Sequence, residues 1–96
     1  YQTHLEKAIE VINTTGMELA EDPLWKAFII KPPQFLRVED FLDSGVVMKI
    51  LGETVALKQW EVTGELRKRI KVSFEREGIE MPTLQRFMNP VKDMDV

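Results

Sequence analysis

The stretch that most constrains the fold is residues 65–82, ELRKRIKVSFEREGIEMP. Leu66, Ile70 and Phe74 recur at every fourth position, so they stack on one side of a helix. Arg67, Lys68, Arg69, Lys71, Glu75, Arg76 and Glu77 cover the rest. Gly78 then falls where a helix ends in a left-handed residue, which glycine adopts without a Cβ clash. With Gly78 at C′, Phe74 is C3 and Ile79 is C″, the two side chains that touch in a Schellman ending. Pro82 prevents a return to helix.

The rest of the chain is read against that helix. Thr3 and Glu6 fit a capping box. Leu5, Ala8, Ile9, Ile12, Gly16 and Leu19 continue as an apolar stripe, which predicts a helix from about residue 3 to residue 20. Asp22 and Pro23 suit the N-cap and first position of a short helix. That helix would carry Leu24, Trp25, Phe28 and Ile29 and end at Pro32–Pro33. Residues 35–41 and 46–51 read as two strands. Asp43, Ser44 and Gly45 supply the turn between them, which predicts an antiparallel hairpin. Gly52, Glu53 and Thr54 are expected to loosen the chain. The second long helix starts between residues 55 and 60, with Thr63–Gly64 as its weak point. Residues 79–81 would form a short return strand, and residues 83–96 a loop or an arm ordered by a partner.

Ninety-six residues suit one domain. We divide it into residues 1–82 and a C-terminal arm, 83–96. The order of elements gives an α+β fold, most of a ferredoxin-like split βαββαβ sandwich whose first strand would precede Tyr1. The chain therefore reads as a fragment of a longer protein. No apolar run approaches the roughly 20 residues that cross a bilayer.

Few residues suggest chemistry. The net charge of -3 argues against a general nucleic-acid binder. Arg67, Lys68, Arg69 and Lys71 are the one basic cluster. Glu61, Glu65 and Glu75 lie three or four positions from basic residues, as on a solvated helix face. His4 is the single histidine and there is no cysteine. A metal site or a nucleophile–base pair would need companions, so His4 is read as an exposed first-turn residue. Among 16 acidic residues, the neighbours Glu21–Asp22 and Glu39–Asp40 are expected by chance rather than as a general acid and base. Trp25, Phe41, Trp60 and Phe74 read as core. Phe87, Met88, Val91 and Met94 are apolar residues in an arm, which suggests that it packs on another subunit. No catalytic, cofactor-binding or metal-binding residue is assigned.

An ordered set of short motifs resembles the C-terminal cytoplasmic domain of the MscS family of small-conductance mechanosensitive channels. The set comprises residues 3–9, Glu21–Asp22–Pro23, Pro32–Pro33, residues 43–47 and Gln59–Trp60–Glu61–Val62. It continues with residues 65–71, Phe74, residues 78–82 and Gln85–Arg86. Residues 52–57, Thr63–Gly64 and Thr83–Leu84 depart from the family pattern. The resemblance implies a ferredoxin-like domain without catalysis or cofactor. It implies identical subunits as partners, typically seven, enclosing a vestibule with side portals that filters solutes on the cytoplasmic side of the membrane. Membrane contact would come only through segments upstream, and no nucleic acid is implied. The alternative is a stand-alone ferredoxin-like module that binds a small ligand or nucleic acid.

Overall fold

The structure is a computed structural model that describes residues 2–42, 45–80, 83–85 and 89–90. It is α+β. Helix α1 spans Gln2–Glu21, strand β1 spans Ile29–Leu42 and β2 spans Gly45–Thr54. Helix α2 follows at Gln59–Glu77, and two short strands, β3 at Thr83–Gln85 and β4 at Asn89–Pro90, complete the sheet. β1 and β2 form the expected antiparallel hairpin, with Phe35 opposite Ile50 and Leu42 opposite Gly45. β3 and β4 both run parallel to β2, Val47 opposite Thr83 and Glu53 opposite Asn89.

The two helices share one core with the inner face of β2. Ala8, Val11, Ile12 and Leu19 from α1 meet Val62, Leu66, Ile70 and Phe74 from α2 over Met48 and Ile50. Both amphipathic stripes thus fall on the expected sides. α2 closes as its sequence dictates. Gly78 adopts φ 70° and ψ 28°. Its N–H donates to the Glu75 carbonyl, and the Ile79 N–H donates to the Phe74 carbonyl at 2.9 Å. That is the Schellman pair of bonds, and Ile79 packs against the core that holds Phe74.

Several expectations are corrected. α1 begins at Gln2, one residue before the expected start, and the Thr3 side chain lies outside the described residues. The short helix is a single 3₁₀ turn, Lys26–Phe28. The Asp22 carboxylate accepts the Leu24 N–H at 2.8 Å ahead of it, and Trp25 holds the turn to the core with its ring edge-on to Phe28. Pro32–Pro33 does not stop anything; both lie within β1. Residues 52–54 stay in β2 rather than loosening. The return strand is at Thr83–Gln85, and residues 79–80 are not strand. Phe35 packs against the core, and the register shifts between Phe35 and Arg37, which interrupts the strict alternation of a strand. Leu36 is left half exposed.

The proline pair explains how α1 sits on the sheet. The ladder slips between Lys31 and Gln34, where two consecutive residues have no N–H to give. The backbone there is approached from both sides. A Cβ on Gly16 would meet the Pro33 carbonyl oxygen at 1.9 Å, and one on Gly52 would meet Pro33 Cα at 2.8 Å. Asn13 fastens the same place. Its side-chain oxygen accepts the Phe35 N–H at 2.7 Å, and its carbonyl accepts Gln34 Nε2 at 3.1 Å.

Gly16→Ala should therefore destabilise the domain by about 1–3 kcal/mol, as overpacking does, although alanine is the better helix former. Gly64 has nothing within 4 Å of an added Cβ, and Gly64→Ala should stabilise by up to about 1 kcal/mol. Urea unfolding of the two variants checks the contrast. Equal shifts for both would contradict the close approach.

Candidate functional site

Two ion pairs between residues far apart in the chain lie along the seam between α1 and α2, while a third, Lys31–Glu53 at 3.1 Å, crosses the hairpin. At one end Lys7 Nζ is 3.3 Å from Glu77 and 3.5 Å from Glu10. In the middle the buried Thr15 hydroxyl donates to the Ser73 hydroxyl at 3.3 Å. A groove of about 120 Å³ opens above that pair, bordered by Glu18 and Arg76 besides the Lys7 group. At the other end Arg69 donates through one Nη to Asp22 at 2.6 Å and through Nε to Glu65 at 2.8 Å.

The electrostatics are those of matched pairs. The hydrogen bond from Arg69, then the one from the Leu24 N–H, holds the Asp22 carboxyl below the usual carboxylate range. The same bond to Asp22 raises the Arg69 guanidinium further. Glu77, through hydrogen bond and charge, raises the Lys7 ammonium. Each shift favours the ionised form. A general acid or base needs a pKa drawn towards neutrality, and these groups are drawn away from it. Among the described residues, no group of three or more His, Asp or Glu side chains is placed to hold a metal ion.

The basic cluster divides. Arg69 turns inward to its two carboxylates, whereas Arg67, Lys68 and Lys71 are exposed. Glu65 pairs with Arg69 across one turn, as the spacing suggests. Glu21 is exposed, while its neighbour Asp22 holds Arg69. Glu39 pairs with Arg37, and Asp40 accepts the Phe41 N–H. The His4 side chain, and Phe87, Met88, Val91 and Met94, lie outside the described residues. Trp25 and Phe74 are in or against the core, but Trp60 is 78% exposed and Phe41 is 72% exposed. Trp60 is the second residue of α2, on a face that meets neither the sheet nor α1. Phe41 sits at the turn end of the hairpin, opposite Val46.

Among the links that sequence reasoning missed, Lys7–Glu77 and Asp22–Arg69 tie the two helices together at the ends of the seam. They join residues far apart in the chain and leave no local periodicity. Only the antiparallel packing of α1 and α2 brings them together.

This seam and the sheet it covers belong to a channel domain. The family model "Mechanosensitive ion channel MscS, C-terminal" matches residues 1–81, and the chain belongs to that family of mechanosensitive channels. A small-conductance mechanosensitive channel from Caldanaerobacter subterraneus subsp. tengcongensis is 30% identical over 54 residues, 56% of this chain and 19% of that protein. The match thus spans about a fifth of the relative's length. No solved structure matches the chain. The family is one of channels, not an enzyme family. Among the described residues no helix is long and apolar enough to cross a membrane.

Asp22 supplies a pH test. Its folded pKa is depressed, so its contribution is fully present above the unfolded value of about 4. It is lost as pH falls through the lower folded value. Urea midpoints of Asp22→Asn should lie below those of the unaltered protein at pH 7, and the gap should close towards pH 2. A gap independent of pH would show that Arg69 does not act through the carboxylate charge.

Proposed function

We propose that the chain is the cytoplasmic vestibule domain of an MscS-type mechanosensitive channel, with a structural, assembly and solute-filtering role and no catalysis. The observation that carries this reading is the family match, which runs through both helices and the hairpin. The charge pattern supports it, because the seam is built from matched pairs that tie α1 to α2. The partners are identical subunits, typically seven in such channels, and membrane contact comes through other parts of the parent protein. Nucleic acid is not a partner.

The full arrangement is a ferredoxin-like split sandwich completed by a strand that precedes Tyr1. The pairing of β2 supports this. On one edge β2 forms a long ladder with β1, while on the other it meets only the short β3 and β4, both parallel to it. In the βαββαβ topology a strand antiparallel to both lies between β2 and β3, so it would take the place beside β2 that β3 and β4 occupy. The domain then includes β3 and β4 and so runs past the boundary at residue 82 that the sequence suggests. The apolar side chains of the remaining arm, Phe87, Met88, Val91 and Met94, pack on a neighbouring subunit.

The full-length parent protein, reconstituted in liposomes and patched under suction, should pass current above a threshold of membrane tension. Its absence at every tension up to rupture, with protein in the bilayer, would refute the channel reading.

A further inference from the structure

On α2 the residues facing α1 include Ser73 and Glu77, with Arg69 reaching Asp22 beyond the end of α1. Lys71 and Arg67 lie two positions from Ser73 and Arg69, about 200° round the helix. Trp60, Gly64, Arg67 and Lys71 follow one another at helical spacing, so they form a single outer stripe. Lys68 lies beside it, and all of these residues are exposed. The stripe is an odd surface for an isolated domain. It starts with an exposed tryptophan. At Gly64 it has a gap, since an added Cβ there would meet open space. Lys68 and Lys71 form no ion pair with another described residue. Three residues ahead of Trp60, Leu57 is exposed and takes φ 73°, the left-handed backbone that favours glycine. A leucine is thus held on the surface, in a backbone conformation that its Cβ disfavours, at the head of a stripe both apolar and basic. Strained residues of this kind cluster where a surface meets a ligand.

The chain itself supplies a matching segment. β4 pairs parallel to β2, with Pro90 opposite Thr54. The chain after Pro90 therefore leaves at the end of the sheet where β2 passes into α2, which is the end that carries Leu57 and Trp60. A strand inserted between β2 and β3 moves β4 sideways and keeps that direction. Residues 91–96 read VKDMDV. Extended, they reach roughly 20 Å, more than the roughly 17 Å from Trp60 to Lys71 along the helix. Met94 stands between Asp93 and Asp95, the complement of an apolar stripe bordered by lysines. We propose that residues 91–96 of one copy dock on the α2 stripe of a neighbouring copy. Met94 enters the gap at Gly64 and sets its sulfur against the Trp60 ring, with Leu57 at the edge of the contact. Asp93 and Asp95 face Lys68 and Lys71. In a closed ring every copy presents the same stripe at the same height along the axis. An arm that leaves at the Trp60 end of its own domain therefore starts level with the stripe of the next copy. The inference rests on the homo-oligomeric reading above and adds the surface that receives the arm.

The test uses the full-length protein in detergent, assembled from light and heavy isotope-labelled subunits and grown with a photoreactive diazirine analogue in place of methionine. Illumination should link position 94 of one copy to residues 57–64 of another, which mass spectrometry reads as peptide pairs of mixed light and heavy label. The double reversal K68E/K71E should lower the yield of that link at least about fivefold, the scale of a few exposed ion pairs. Adding D93K/D95K should bring it back. Trp60→Ala, which alters an exposed side chain, should lower the yield while leaving the urea midpoint of the domain in place. An intact assembly in which position 94 links only within its own copy, or only to other surfaces, overturns this docking and leaves the oligomeric reading standing. So does a loss of yield that the second reversal does not rescue. An unaltered protein that is monomeric throughout overturns both.

Discussion

The fold depends on the contact of α1 with the proline bulge of β1. Gly16 lies on the Pro33 carbonyl from one side and Gly52 lies against Pro33 from the other. Three backbones are thereby held closer than any side chain would allow. Asn13 adds hydrogen bonds to the next two residues of the strand. With α1 seated there, Ile12 and Leu19 reach Ile50 and Met48, and α2 closes the core from the other flank. The Asp22–Arg69 and Lys7–Glu77 pairs then fix the two helices against each other at both ends of the seam.

Much of this is legible from local pattern. The stripe Leu66, Ile70, Phe74 and the Gly78 exit describe α2 and its ending, because each depends on neighbours within one or two turns. The hairpin follows from two apolar runs around Asp43–Ser44–Gly45. What local pattern misreads is the role of Pro32–Pro33. Two prolines read as a stop, since neither has an N–H for a helix or a central ladder. β1 is an edge strand that spares those bonds through a slipped register, and the residues that make the bulge worthwhile, Gly16 and Gly52, lie elsewhere in the sequence. The same bulged ladder interrupts the alternation between Phe35, against the core, and Leu36, half exposed.

The charged residues follow the same division. The pairing of Glu65 with Arg69 was visible one turn away. The inward turn of Arg69 to Asp22 was not, because only tertiary packing brings residue 22 to α2. Trp60 read as core on composition, yet it stands exposed beside Gly64 and the lysines. An aromatic residue and an uncompensated glycine on one outer stripe make sense as surface meant for a partner. The groups drawn together inside the domain are instead matched in charge and held ionised, which ties α1 to α2.

The most direct test of that account is the assembly mass of the full-length protein with and without residues 1–96, measured by light scattering in detergent. The account predicts one large homo-oligomer that falls to smaller species when the domain is removed. An assembly of unchanged subunit number without it would contradict the assembly role assigned to this domain.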